Sequence, residues 1–293
     1  MMKTLKTILF TLLIMVFFAF STFCFGAKNI YKGSSSEIDA SNSTDGYIRI
    51  KYINKTDKKL KVIIEKGSNK YTYSLNNAGL YDTFPLQMGD GSYKVSVFEN
   101  ITDNKYSVKQ TANINVKLKD ANSPFLASNI YVNYSSTNDA IKKAAELTKD
   151  KTTDVEKLQV IYDYIISNIV YDTEKAKTVK SGYLPNIDVT LKTNKGICFD
   201  YASMMAAMLR SQSIPAKLVT GYSKNLSAFH AWNEVYTKET GWIVLNEMYL
   251  DGNEWKLLDS TIASSAKQSK SPKVMEYTNK LMESKNYTKQ FEY

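Results

Sequence analysis

Three residues in the C-terminal half have the types needed for nucleophilic chemistry: Cys198, His230 and Asp259. After Asn194-Lys195-Gly196-Ile197, the residues Ala202, Met205, Ala206 and Leu209 recur at helical intervals, so the spacing predicts a helix that opens at Cys198 and ends near Arg210. A thiol on the first turn of a helix meets unsatisfied backbone N–H groups and the positive end of the macrodipole, both of which favour the thiolate. The same N–H groups can bind an oxyanion after the sulfur attacks a carbonyl. Gly196, just before the thiol, is expected to let a substrate approach closely. A nucleophilic thiol needs a base, and His230, the one histidine of the chain, opens a strand-like run ending at Tyr236. An imidazole in turn needs an orienting acceptor, and Asp259 closes a later run from Trp255. Taken singly, a cysteine is more often a small buried apolar residue and a histidine a structural one. Spacing alone does not bring the three together.

Scarcity narrows the chemistry. With one histidine and two cysteines, Cys24 and Cys198, the chain has neither the ligands of a zinc site nor a disulfide framework, and no metal or cofactor is expected. Lys3 and Lys6, an apolar stretch from Ile8 to Phe20 and Cys24-Phe25-Gly26 have the three-part layout of a secretory signal peptide, assigned to residues 1–26 with cleavage near Gly26. The alternatives are a lipoprotein anchored through Cys24, disfavoured by Phe23, and an uncleaved anchor. The expected location is secreted or extracellular, with cell-envelope association open. In such a compartment a single retained thiol is an oxidation liability, so its presence asks for a reason. No later apolar run reaches about 18 residues, and no transmembrane segment is expected after signal removal.

The formal net charge is +9, and 43% hydrophobic with 23% charged residues is a globular composition. Arg49 and Arg210 are the only arginines and the lysines are for the most part scattered, which disfavours nucleic acid as a partner. A solvated surface is the plain reading; weak adhesion to an anionic envelope polymer is the functional one.

The elements that must position the three residues come in two blocks. Residues 27–46, rich in Ser, Asn and Asp, read as a flexible leader. From 47 to 119, period-two runs at Ile48–Tyr52, Leu60–Ile64, Tyr71–Leu75, Tyr93–Val97 and Ala112–Leu118, separated by turn residues, predict a small β-sandwich. Residues 120–136 read as a linker. The remaining block, 137–293, opens with helices at Asp139–Lys149 and, behind a Thr153/Glu156 capping box, up to about Val170. Strand-like runs follow the Cys198 helix at Ala216–Tyr222, His230–Tyr236, Trp242–Leu250 and Trp255–Asp259, an α+β plan.

Gly196-Ile197-Cys198-Phe199-Asp200-Tyr201-Ala202, Leu209-Arg210-Ser211-Gln212-Ser213-Ile214-Pro215-Ala216, Gly221-Tyr222, His230-Ala231-Trp232-Asn233-Glu234-Val235 and Trp255-Lys256-Leu257-Leu258-Asp259-Ser260-Thr261 resemble the core of the transglutaminase-like superfamily over roughly residues 140–265. The resemblance implies a papain-like α+β core, helices packed on an antiparallel sheet, with Cys198 as nucleophile, His230 as general base and acid, and Asp259 as orienting carboxylate. Asn246 is a rival for the third position, since it follows Trp242 as Asp259 follows Trp255. The animal enzymes place a tryptophan upstream of the cysteine, whereas Trp232, Trp242 and Trp255 all lie downstream; Tyr171 resembles the upstream tyrosine of bacterial members and is the oxyanion candidate. No acidic cluster resembles the calcium sites of the animal enzymes. Asp200 reads as a helix cap, Tyr201 and Trp232 as packing around the site, with Trp232 placed to shield the imidazole. Of Asn233 and Glu234, at most one faces the cleft if the strand is regular. The implied activity is exported, thiol-dependent acyl transfer on amides of a protein or peptide substrate, resolved by water or by an amine. The alternative is a catalytically silent surface binding or structural protein on the same fold.

Overall fold

The computed structural model describes residues 29–224, 226, 228–244, 259–269, 271 and 284–293. The signal segment with Cys24, together with Asn246 and Trp255, lies outside the described residues.

Eight antiparallel strands come first: β1 (Ile30–Lys32), β2 (Ser36–Asp39), β3 (Tyr47–Tyr52), β4 (Leu60–Lys66), β5 (Asn69–Leu75), β6 (Asp82–Pro85), β7 (Gly91–Thr102) and β8 (Lys105–Val116). They form two four-stranded sheets, in the orders β1-β2-β3-β6 and β5-β4-β7-β8. Alternation determines which side chains enter the core: Ile48, Ile50 and Tyr52 on β3, Leu60, Val62 and Ile64 on β4, and Tyr93, Val95 and Val97 on β7 are buried. The expected flexible leader is corrected here. Two of its segments pair as β1 and β2, and β2 joins β3 with Ile38 opposite Ile50, both fully buried. Its polar composition reflects short strands and a turn rather than disorder.

The expected linker is likewise packed. Phe125, Ile130 and Val132 are buried, Ile130 N–H donates to Thr83 O, and Ser203 Oγ donates to Tyr131 O. Tyr131 sits in an aromatic cluster that ties the sandwich to the second block, 5.7 Å from Tyr73, 5.5 Å from Phe199 and 4.6 Å from Tyr293 between ring centroids.

The second block opens with α1 (Asp139–Thr148) and α2 (Asp154–Asn168), the latter headed by the expected Thr153/Glu156 capping box. Then come β9 (Val170–Tyr171), α3 (Thr173–Thr178), α4 (Ile187–Thr193), β10 (Lys195–Gly196) and the buried α5 (Cys198–Ser211). Strands β11 (Ala216–Ser223), β12 (His230–Thr237) and β13 (Gly241–Val244) follow, then α6 (Ser260–Ser269) and β14 (Tyr287–Glu292). The antiparallel sheet runs β13-β12-β11-β14, and β9 pairs in parallel with β10. Helix α5 packs on this sheet, its buried Met204, Met205 and Met208 joining Leu218 and Val235 in the apolar core. The fold is α+β: helices on an antiparallel sheet, preceded by a sandwich whose core is continuous with it.

Candidate active site

Cys198 is the first residue of α5 and is half-buried at the end where the N–H groups of a helix lack helical acceptors. Asp200, fully buried, reaches back so that Ile197 N–H donates to its Oδ2 at 2.9 Å, as expected of a cap. Its charge is met by Lys175 Nζ at 2.6 Å, and the Tyr183 hydroxyl donates to Oδ1 at 2.5 Å. Gly196 serves this cap. A Cβ there would stand 2.8 Å from Asp200 Cβ, so the glycine admits the Asp200 side chain, and the expected role in substrate approach is corrected.

His230 begins β12 and is 6% exposed. Trp232, two residues on and therefore on the same face, lies nearly parallel to the imidazole with centroids 6.3 Å apart, which covers the ring as expected. The strand is held to α5 by Asn233, whose Nδ2 donates to Ala202 O, while Glu234 pairs with Lys289 at 2.9 Å. Both are spent on structure. Across β11, Gly221 is essential to the local geometry, because a Cβ there would meet Thr288 O at 2.1 Å and the Trp232 ring at 3.0 Å.

Asp259 is fully buried and immediately precedes α6; the rest of the expected Trp255–Asp259 run lies outside the described residues. Asp259 caps α6, a helix absent from the expected plan: Ile262 N–H donates to Oδ1 at 3.1 Å. The other oxygen, Oδ2, is hydrogen-bonded to His230 Nε2 and accepts from the Tyr287 hydroxyl at 3.0 Å. One carboxylate therefore terminates a helix with one oxygen and holds the imidazole with the other. With Nε2 engaged by Asp259, Nδ1 is the ring nitrogen left for a thiol, and Cys198 lies near enough to the ring to raise its basicity. Burial by itself lowers the basicity of His230; the Asp259 charge and hydrogen bond, reinforced by Cys198, overcome it and lift the pKa to about 10.

Tyr171 ends β9, opposite Gly196 of β10, and so lies one short strand away from the thiol. Burial raises its pKa, and the charges of Cys198 and Asp259 raise it further, placing its phenol in the field of both. Tyr201 Oη instead donates to Ile169 O, which confirms a packing role. The structure thus brings Cys198, His230, Asp259, Tyr171 and Trp232 together. The rival Asn246 lies outside the described residues.

A cavity of about 420 Å³ opens where Cys198 meets His230. Its walls are largely apolar and rich in aromatic rings, among them Tyr131, Phe199, Phe229, Phe291 and Tyr293, and one side is the chain from Val179 to Tyr183. Among the described residues, no group of three His, Cys, Asp or Glu side chains could hold a metal ion.

Tyr287 is the member that sequence reasoning missed. Its ring packs edge-on against Trp232 at 5.1 Å while its hydroxyl reaches Asp259. The alternation Tyr287, Lys289, Phe291 was the available signal for the strand, but nothing in it points to a carboxylate so distant in sequence.

The sequence profile of the transglutaminase-like superfamily matches residues 141–247. The segment is similar to a transglutaminase-like core. It includes Cys198 and His230 and stops short of Asp259. Over 117 residues the chain is 32% identical to the uncharacterized protein YebA of Bacillus subtilis, covering 34% of this chain and 16% of that one. Over 130 residues it is 30% identical to the mouse kyphoscoliosis peptidase, covering 41% and 17%. A solved structure described as a candidate cysteine protease from Cytophaga hutchinsonii aligns over 90% of this chain and 73% of its own, at 19% identity and a TM-score of 0.41. The chain spans half or less of the length of the curated relatives it matches.

Proposed function

We propose that the protein is an exported, thiol-dependent acyl-transfer enzyme that acts on amide bonds of proteins or peptides. The observation that carries this reading is the buried His230 ring, held through Nε2 by Asp259 with its other nitrogen left for a thiol at a helix start. The name of the mouse relative, a peptidase, points the same way.

His230 takes the thiol proton, and the Cys198 thiolate attacks the amide carbonyl, forming a C–S bond. The oxyanion is met by the Cys198 backbone N–H and the Tyr171 hydroxyl. The His230 imidazolium then protonates the leaving amine as the C–N bond breaks, giving a thioester. Water or a second amine, deprotonated by His230, attacks that thioester, and the thiol regains its proton as it leaves. Water yields an acid, and an amine yields a new amide. Trp232 and Tyr287 keep the imidazole dry and Asp259 aligned throughout. Lys3, Lys6 and the apolar stretch behind them support action outside the cytoplasm, where envelope-associated peptides or proteins are the natural substrates.

The test is iodoacetamide labelling at graded pH, with adducts mapped by peptide to separate Cys198 from Cys24. His230→Ala is expected to slow Cys198 labelling at neutral pH. A profile centred near 8.5 and identical in both proteins sinks the proposal. A labelled primary amine offered with a glutamine-containing protein then separates transfer, which incorporates label, from hydrolysis, which does not.

A further inference from the structure

The chain from Val179 to Tyr183 that walls the active-site cavity has a second face. Its Ser181 and Gly182 also line a separate hollow of about 440 Å³ on the β-sandwich. Gly182 has a φ of +87° and lies against Ser74 of β5, so this segment forms a ridge between the two cavities. The cavities differ in chemistry. The one at Cys198 is largely apolar and rich in aromatic rings; the one on the sandwich is polar and carries Lys58, Lys59 and Lys61 against a single acid, Asp57.

These lysines differ from five others on or beside the sandwich whose charge is already met by a carboxylate. Lys51, Lys94, Lys109, Lys117 and Lys119 each form an ion pair with a carboxylate. Among the described residues no carboxylate lies within ion-pair distance of Lys58, Lys59 or Lys61. Glu99, whose field reaches Lys58, is already bound by Lys109 at 2.8 Å. Lys61 is held over the Tyr106 ring, its Nζ 4.2 Å from the centroid, which fixes one ammonium at the wall of the hollow. Three like charges converging on a concave surface repel one another unless an anion joins them, and a concave wall focuses their field.

We infer that the lysine-lined hollow is an exosite for an acidic segment of the peptide or protein whose reacting amide lies at Cys198. It gives the sandwich a part in substrate selection: the aromatic cleft receives the reacting region, and the chain crosses the Ser181–Gly182 ridge to place Asp or Glu side chains among the lysines. The exosite serves catalysis only through the thiol chemistry proposed above, on which this assignment rests.

The test uses the full chain and iodoacetyl peptides in which a glycine spacer joins the reactive group to a tail of alternating aspartate and glutamate, or to the matching asparagine–glutamine tail. Spacers of graded length, at about 3.3 Å per residue, cover the crossing. The rate of adduct formation at Cys198 is measured by peptide mapping. At low ionic strength the acidic tail is expected to react about tenfold faster, the combined effect of a few weak exposed pairs. High salt removes the advantage, since these charges are screened. The combined K58Q/K59Q/K61Q variant is expected to lose it, whereas K94Q/K117Q/K119Q, the same charge change elsewhere on the sandwich, retains it. Free acidic peptide competing with the probe on the unmodified chain gives the same answer without any substitution.

Equal rates for the two tails, or an advantage that survives in K58Q/K59Q/K61Q, would overturn the exosite. So would an advantage conferred by a phosphodiester tail and not by the acidic peptide, which would assign the hollow to a phosphate polymer. Failure of the thiol chemistry is read separately, from plain iodoacetamide and His230→Ala.

Discussion

Asp259→Asn isolates the charge that governs the site. Asparagine keeps the shape of the side chain and its Oδ1 can still cap α6, but Nδ2 then stands where Oδ2 was and can only donate toward Tyr287 and His230, so the substitution removes the negative charge and the acceptor that holds the imidazole. In the native protein His230 is 6% exposed yet titrates at about 10 because of Asp259 and, secondarily, Cys198. Against an ordinary value of 6.5, this is ~5 kcal/mol of preference for the protonated ring. With the charge gone, only Cys198 still opposes burial, and the ring is expected to titrate far below 10, toward its ordinary value. The measurement is unusually direct, because the chain has one histidine and its Cε1 proton is the only imidazole signal of that kind in the NMR spectrum. Cys198→Ala, which leaves Asp259 in place, should keep the pKa well above 6.5. The shift also fixes a sign for stability. A raised folded-state pKa contributes stability that is complete below pH 6.5 and lost as the pH rises through about 10. Denaturant midpoints of the native protein should therefore fall across that window more steeply than those of Asp259→Asn. A native ring titrating near 6.5, or one left near 10 in Asp259→Asn, would refute the coupling on which the proposed chemistry depends.

Tyr287→Phe keeps the ring against Trp232 and deletes the hydroxyl that Asp259 accepts, an expected cost of ~1–3 kcal/mol. Thermal denaturation and the rate of Cys198 alkylation should both decline, and if neither moves, Tyr287 does not hold the carboxylate. Gly196→Ala places a methyl 2.8 Å from Asp200 Cβ and must displace the first turn of α5, for an expected ~1–3 kcal/mol. A stable Gly196→Ala protein with slowed labelling by bulky reagents would instead restore the substrate-access role.

Much of the site was legible because its chemistry is local. Cys198 could be placed at a helix start from the apolar positions that follow it, and His230 at a strand start from the alternation through Tyr236. Strand β12 indeed carries His230 and Trp232 on one face. What the sequence hid are contacts between distant segments. In sequence Asp259 reads only as the orienting carboxylate, yet its Oδ1 also starts α6, and a cap and an orienting carboxylate look alike in a linear chain. Tyr287 reaches the site only because β14 returns to pair with β11, and no short-range pattern encodes that pairing. Composition misled at two places. The polar stretch before β3 supplies β1 and β2, since strands of three or four residues need few apolar side chains, and the segment around Tyr131 is packed by well-spaced side chains such as Phe125, Ile130 and Val132 that a linker reading discounts.

The placement of Asp200 raises an electrostatic problem. A fully buried carboxylate two residues from a thiol opposes a thiolate on the same helical turn, yet it also caps that turn by accepting from Ile197 N–H. The arrangement reconciles the two by supplying a cation to Asp200 from outside the helix. Lys175, on α3, bonds Oδ2 at 2.6 Å, and Tyr183 donates to Oδ1, so the carboxylate is spent before its field reaches the sulfur. Residues 173–183 therefore perform two tasks in one short stretch: they neutralise the cap of the nucleophile helix and build the wall between the catalytic cleft and the lysine hollow. The helix start is left with its N–H groups and dipole acting on Cys198, and the nearest counter-charge to a thiolate becomes the imidazolium that Asp259 sustains.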